Sequence, residues 1–255
     1  MNDSIVKAAQ ILVERPPTVA LTGAGISVDS GIPDFRSPNG LWNRFDPMEY
    51  ATIQAFQRDP EKVWEMIRAI DEILFDAAPN EGHHSLVELE RMGLLETVVT
   101  QNIDGLHQKA GSKRVIDFHG NSTRLVCLSG CDGVDTQTLR PHLKEDAPPQ
   151  CRSCGRILKP DVVLFGEPIP EGALYAASHS TRYCGVLLVV GTSATVAPAS
   201  GLPLMAKKLG AQIIEINTEP TPLTPHTHLS LFGSSSEILP GLVETAKLQI
   251  GCPAR

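Results

Sequence analysis

Six cysteines occur in 255 residues, and four of them form two close pairs. Three residues separate Cys127 from Cys131, two separate Cys151 from Cys154, and nineteen lie between the pairs. Thiolates paired at spacings of two to four residues suit a tetrahedral zinc ion. Four protein ligands leave no open coordination position, so a zinc held there is structural and not catalytic. A redox dithiol at Cys151 and Cys154 would need a strand–helix context that the surrounding sequence lacks. Cysteines clustered in this way read as metal ligands in a reducing compartment, ahead of disulfides.

A second set of polar residues follows four apolar runs predicted as strands: Thr18–Leu21, Thr97–Thr100, Val186–Val190 and Gln212–Ile216. After them come Gly23-Ala24-Gly25-Ile26-Ser27, Gln101-Asn102-Ile103-Asp104, Gly191-Thr192-Ser193 and Asn217-Thr218-Glu219. In open parallel sheets, ligands bind beyond the carboxyl ends of the strands, so the four loops are expected to converge on one site. Gly23 and Gly25 permit a tight turn and close approach to a ligand, and a helix starting just after them would aim its N–H groups at a pyrophosphate. Val28 stands where the usual dinucleotide fingerprint has a third small residue, and no Lys-Ser/Thr pair marks a phosphate-binding P-loop. Together the loops point to dinucleotide binding.

Helices are expected at about 4–14, 60–75, 85–92, 202–209 and 237–248. Strands without polar alternation are buried on both faces, which implies an α/β fold with a doubly wound parallel sheet of Rossmann type. Residues 122–158 break the rhythm, with the paired cysteines, several prolines and few apolar runs. They are expected to form a small zinc-binding module inserted into a dinucleotide-binding domain of residues 1–121 and 159–255. Residues 32–56 carry Pro33, Pro38, Gly40 and Pro47 and are predicted to be a mobile cofactor-binding loop with short helices.

Hydrophobic residues make up 42% and charged residues 20%, an ordinary globular composition. A net charge of −7 argues against bulk nucleic-acid binding and suits a basic partner such as a lysine-rich peptide. The N-terminal stretch is amphipathic and charged, unlike a secretory signal, and the longest apolar run is far too short to span a bilayer. A soluble, cytoplasmic protein is therefore expected.

Gly23–Ser27, Gly31-Ile32-Pro33-Asp34-Phe35-Arg36 and Thr100-Gln101-Asn102-Ile103-Asp104-Gly105-Leu106-His107 resemble the signature blocks of the sirtuins. Phe118-His119-Gly120, the paired cysteines, Lys159-Pro160-Asp161-Val162-Val163-Leu164-Phe165-Gly166-Glu167 and Gly191-Thr192-Ser193 continue the series in the family's order. The resemblance runs from about residue 15 to 245, and the compact length is similar to bacterial and archaeal members.

The resemblance implies an NAD-dependent protein-lysine deacetylase or deacylase that releases nicotinamide and transfers the acyl group to ADP-ribose. An amide oxygen is a poor nucleophile, so positioning and electrostatics must supply most of the rate. His119 is the candidate general base, since an imidazole titrates near neutral pH and can take a proton from a ribose hydroxyl. Asn102 and Asp104 sit two apart and share a pocket if the backbone is extended. By resemblance, Asp104 meets the nicotinamide carboxamide, Asn102 the ribose and its water, and Gln101 the ribose. Phe35 is the expected aromatic lid, Arg36 meets a phosphate, and Thr192 and Ser193 meet pyrophosphate or ribose. Gly23, Ala24, Gly25, Ser27, Asp34, Ile103 and Gly191 complete the expected cofactor contacts. Asn217 and Ser235 would bind the adenosine half. His107 is expected to be structural, and His83 and His84 to be surface or helix-start residues. Val162–Gly166 reads as an extended edge for a substrate strand.

Succinyl-preferring sirtuins carry a Tyr-x-x-Arg pair where this chain has Ile67 and Ile70, with Arg68 directed off that helix face. Uncharged acyl groups, acetyl and longer fatty chains, are therefore expected. A hydride-transferring dehydrogenase would need an acidic ribose-binding residue about twenty positions beyond the glycines, where Arg36 and Asn39 are poor candidates. Protein ADP-ribosylation and an NAD-sensing silencing scaffold remain as alternatives, although a pure binder has no need of a base.

Overall fold

A computed structural model describes residues 3–34, 40–131, 134–135 and 147–251. The four strands expected from apolar runs form the middle of one sheet: β1 (Thr18–Thr22), β2 (Leu95–Thr100), β7 (Val186–Val190) and β8 (Gln212–Asn217). Two short strands, β3 (Val115–Asp117) and β9 (Leu229–Phe232), extend it, giving the order β3-β2-β1-β7-β8-β9 with every pairing parallel. Alternate side chains of each strand enter opposite cores, as the two-residue period requires. Ala20, Leu188 and Ile214 face a layer that includes Ala8, Leu86 and Leu242, whereas Leu21, Leu187 and Ile213 face Ala177, Leu202 and Ala206.

The first layer is built from α1 (Asp3–Glu14), α5 (Glu81–Arg91) and α9 (Ser235–Gly251), and the second from α7 (Glu171–Tyr183) and α8 (Gly201–Lys208). The sheet is thus doubly wound. Strand order reverses between β1 and β7, so their carboxyl ends diverge into a crevice where the first and third polar loops meet. No helix among the described residues is long and apolar enough to cross a membrane.

A second, three-stranded sheet joins β4 (Gly120–Val126) antiparallel to β6 (Lys159–Val162) and to β5 (Val134–Asp135). Phe118 and His119 are the two residues that pass from β3 in the large sheet to β4 in the small one.

Three helices from the segment before β2 reach this small sheet: α2 (Pro47–Tyr50), α3 (Ile53–Arg58) and α4 (Pro60–Asp76). Their starts are written locally. Asp46, Thr52 and Asp59 accept backbone N–H groups as N-caps, and Pro47 and Pro60 occupy first-turn positions whose N–H would have no helical partner. Ala55, Phe56, Val63 and Trp64 then pack on Leu125, Leu158 and Leu164. The Trp64 indole N–H donates to the Leu158 carbonyl at 2.8 Å, fixing α4 to the small lobe.

Candidate active site

The strand-end loops open onto a cavity of about 1110 Å³ between the large sheet and the small lobe. Gly23, Ala24, Gly25, Asp34, Gln101, Asn102, Ile103, His119, Gly191, Thr192, Ser193 and Asn217 all line it, as does Val162–Gly166. Ser27, Asp104 and Ser235 lie behind the wall, 0%, 7% and 5% exposed. Phe35 and Arg36 lie outside the described residues.

The glycines are required chiefly by loop-on-loop contact. A Cβ on Gly25 would sit 2.7 Å from the Gly191 Cα, and one on Gly191 would sit 2.4 Å from the Ile26 nitrogen. Gly191 also has φ +60, and the Gly25 N–H donates to its carbonyl at 2.8 Å. Val28 is therefore no obstacle, because the close approach is made at positions 23, 25 and 191. The helix expected after the glycines is a 3₁₀ helix over residues 24–30, opened by an Ile26 N–H to Gly23 carbonyl bond.

Hydrogen bonds brace the strand ends against one another. The Gln101 amide donates to the Thr192 hydroxyl at 2.9 Å, and the Asn217 amide donates to the Thr192 carbonyl at 2.9 Å. Asn102 donates to the Gly23 carbonyl and to Ser27 Oγ, both at 3.1 Å. Ser27 donates in turn to Asp104 Oδ2 at 2.7 Å, while Asp104 Oδ1 accepts the Leu106 N–H at 2.9 Å. Both carboxylate oxygens of Asp104 are thereby engaged in holding the loop and the start of α6 (Leu106–Ala110). Ser122, which sequence reasoning missed, donates its hydroxyl to the Ile103 carbonyl at 2.8 Å and ties this loop to β4.

His119 has one ring nitrogen committed. Its Nδ1 lies 3.1 Å from the Gln101 carbonyl, an acceptor, so Nδ1 carries the proton and Nε2 is left as the basic atom of a cavity-lining ring. Burial lowers its pKa below the usual 6.5, and the Gln101 carbonyl opposes that shift. The backbone is fixed from both sides: the His119 carbonyl accepts the Val163 N–H at 2.8 Å, and Gly120 follows at φ +80. A Cβ on Gly120 would lie 2.1 Å from the Asp161 carbonyl oxygen, so this close crossing of β4 and β6 demands glycine.

Val162–Gly166 is extended but partly paired within the chain. The Val163, Leu164 and Phe165 N–H groups go to the His119 carbonyl, the Glu167 carboxylate and the Ala51 carbonyl. Lys159, 4% exposed, shapes this segment. Its Nζ donates to the Val162 carbonyl at 2.6 Å and pairs with Glu167 at 3.2 Å. Both residues belong to the block quoted above for its resemblance, yet nothing in spacing announced their pairing. Ile67 and Ile70 line the cavity together with Met66 and Leu74, and α4 also contributes Asp71, an acid and hence no partner for a carboxylate. The Arg68 guanidinium lies 5.9 Å from the Trp64 ring centre and is not part of the cavity wall.

Two buried histidines lie beneath the site. His83 and His107 pack with centroids 4.9 Å apart and ring planes tilted by 58°, and His107 Nε2 is 2.9 Å from the Thr22 hydroxyl. His84 is exposed, whereas His83, expected at the surface or a helix start, is fully buried inside the first turn of α5. Burial pushes His83 down to about 4 and His107 to about 3. Their folded pKa values lie below the unfolded value of about 6.5, so below pH 6.5 the unfolded chain binds more protons. Stability should therefore fall as pH drops from 6.5 towards 4, by about 1.4 kcal/mol per pH unit per imidazole at most. Urea midpoints measured across that range check this. A midpoint independent of pH would contradict two neutral imidazoles.

The four cysteine sulfurs lie within 4.8 Å of one another, and Cys127 and Cys154 are 3.5 Å apart. Four thiolates about 2.3 Å from a central zinc sit roughly 3.8 Å from each other, so the cluster fits the ion. Each pair folds on a turn closed by a left-handed glycine. The Gly130 N–H donates to the Cys127 carbonyl at φ +75, and the Gly155 N–H to the Cys151 carbonyl at φ +73. The extra residue of the first pair places its glycine before Cys131 instead of after it. The Ser129 N–H donates to Cys127 Sγ at 3.4 Å and is the largest influence lowering that thiol's pKa, whereas the neighbouring thiols raise that of Cys131.

Comparison with known proteins agrees with this arrangement. The sequence profile of the Sir2 family matches residues 23–198. NAD-dependent protein deacylase 2 of Archaeoglobus fulgidus is 45% identical over 248 residues, covering 97% of this chain and 98% of that protein. A Sir2 homologue solved as its NAD complex superimposes with a TM-score of 0.89 at 43% identity, covering 95% of this chain and 93% of that one. Sir2Af2 bound to a myristoylated histone peptide gives 0.85 at 40% identity, covering 98% and 99%. With this profile match and identity above 40% across nearly its whole length, the chain belongs to the Sir2 family of sirtuins.

Proposed function

We propose that the protein is an NAD-dependent protein-lysine deacylase whose general base is His119. The observation that carries this reading is the His119 ring: Nδ1 bound to the Gln101 carbonyl, the ring on the wall of a cavity that four strand-end loops and Val162–Gly166 share. The cavity suits a dinucleotide. Its loops bring glycine backbone, the amides of Gln101, Asn102 and Asn217, and the hydroxyls of Thr192 and Ser193 to one surface. When bound, NAD supplies the ribose carbon that accepts the acyl oxygen as nicotinamide leaves.

The chain's own residues do the rest. His119 Nε2 accepts the proton of a ribose hydroxyl, and the Nδ1 bond keeps the ring in the tautomer and orientation that this transfer needs. Asn102, its amide N–H groups held by Gly23 and Ser27, presents its amide oxygen towards the ribose. Asp104 acts from behind the wall, holding Ser27 and the loop in place. Asn217 faces the adenosine half, and Ser235, buried at the start of α9 with no partner for its hydroxyl, is assigned to the same end. The Val163 carbonyl and the Gly166 amide offer main-chain partners to a substrate strand, and Lys159 with Glu167 keeps that segment extended. Residues 122–158 serve as the zinc module, and residues 32–56 as the cofactor-binding loop.

Ile67, Ile70, Met66 and Leu74 give the acyl channel an apolar wall, which supports uncharged acyl groups as substrates. The myristoylated peptide bound to Sir2Af2 agrees with long chains among them. The test is mass spectrometry of acetyl-, myristoyl- and succinyl-lysine peptides incubated with and without NAD. The expected outcome is NAD-dependent loss of acetyl and myristoyl groups, with succinyl removed at least about tenfold more slowly, as befits a desolvated carboxylate to which the α4 wall of the cavity offers no cation. Preferred removal of succinyl would reverse the acyl assignment. Addition of ADP-ribose to protein without deacylation would move the reading to ADP-ribosyl transfer.

A further inference from the structure

Glu215 is fully buried in the middle of β8, flanked in register by Val189 of β7 and Ser230 of β9. An acid inside a sheet is costly unless its oxygens are satisfied. Here three hydroxyls satisfy them. Thr221 donates to Oε1, while Thr224 and Ser230 donate to Oε2 at 2.7 and 2.9 Å. Among the described residues no cation pairs with it.

Two of these hydroxyls, Thr221 and Thr224, belong to the connection from β8 to β9, and the third, Ser230, to β9 itself. That connection has little regular structure, a single 3₁₀ turn at Thr224–His226. It is knitted further by the Thr221 N–H donating to Thr224 Oγ1 at 2.8 Å and the Leu223 N–H donating to Thr221 Oγ1 at 3.1 Å. Its first half, residues 218–222, is cavity wall next to Asn217. Glu215 itself does not reach the cavity. A single buried acid therefore ties two points of a loop, whose free face lines the site, to the strand that follows it, on the half of the sheet away from His119.

We infer that Glu215 is a positioning residue that sets affinity for the adenosine end of NAD by fixing the wall at 218–222. This rests on the reading of the cavity as a dinucleotide site. With the hydroxyl hub intact, the wall is already in its binding shape. Without it, binding includes the cost of ordering the loop. The chemical step is remote from this wall, so the loss falls on ground-state and transition-state binding alike and leaves kcat unchanged.

The test measures ADP-ribose affinity by calorimetry and steady-state kinetics for Glu215→Gln and Thr224→Val. The first replaces an acceptor oxygen by an amide that confronts hydroxyl donors. The second removes one donor at a position outside the cavity. Glu215→Gln should weaken ADP-ribose binding and raise KM for NAD about tenfold, and Thr224→Val about threefold, with kcat and KM for the acyl peptide unchanged. If Glu215→Gln does not fold, Thr224→Val and Ser230→Ala decide the matter. Unchanged ADP-ribose affinity in variants of a wild type that binds it overturns the inference. A fall in kcat with KM for NAD unchanged does so too, since that marks a mere loss of folded protein. A wild type that binds no ADP-ribose overturns the dinucleotide reading as well.

Discussion

His119→Ala should lower turnover of an acetyl-lysine peptide by about 10²–10⁴-fold, the usual contribution of a positioned base, while NAD binding stays intact. The imidazole touches the chain through Nδ1 and the Gln101 carbonyl, and neither the glycine loops nor the Thr192 bridge depends on it. Calorimetry with NAD beside steady-state kinetics separates the two effects. Joint loss of binding and turnover would assign the ring a structural role. The wild-type pH profile carries the same information. Burial holds His119 below 6.5, so Nε2 is free to accept a proton at neutral pH and is lost as a base only once the pH falls below its folded pKa. The acid limb of kcat/KM should therefore lie below pH 6.5, and it should vanish in the residual activity of the variant.

Removal of the metal should have the other large effect. The purified protein is expected to contain one zinc per chain, and Cys151→Ser should abolish it. Apparent binding free energies of structural zinc run to about 10–16 kcal/mol in small domains, far more than the remaining contacts of a short three-stranded sheet provide. Cys127 and Cys151 are also core residues, packed among Phe56, Trp64 and Leu125, so the sulfurs serve the apolar cluster and the metal together. Loss of zinc should unfold the small lobe, release α4 at Trp64 and eliminate deacylation, while the six-stranded sheet persists. Elemental analysis, near-ultraviolet circular dichroism of the tryptophans and an activity assay on one preparation test the chain of consequences. Full activity in a zinc-free sample would show that the cluster is dispensable.

The central strands were legible because burial on both faces leaves an unbroken apolar run, as in Val186–Val190. The edge strands were not. β3 and β9 are three and four residues long and half exposed, too short for any period to register. Helix α7 was missed for a related reason, since Ala177 and Thr181 are its buried residues and its sequence is mostly small and polar. The zinc cluster was readable from spacing alone, because chelation constrains sequence locally. The assembly around it was not, since the Trp64–Leu158 bond joins residues 94 apart.

The site shows the same division. Residues that line the cavity by backbone, such as Gly23 and Gly191, stood out by type and position. Whether Ser27 and Asp104 face the ligand or brace the wall depends on long-range bonds that no spacing encodes. The buried state of His83 is likewise set by His107, from a different helix.

Phe118 and His119 form the whole crossing from the large sheet to the small one on this path of the chain. The base is thus mounted on the link between the two sheets, its Nδ1 held by the Gln101 carbonyl after β2 and its own carbonyl held by the Val163 N–H after β6. Both sheets therefore share in setting where the proton-accepting nitrogen stands.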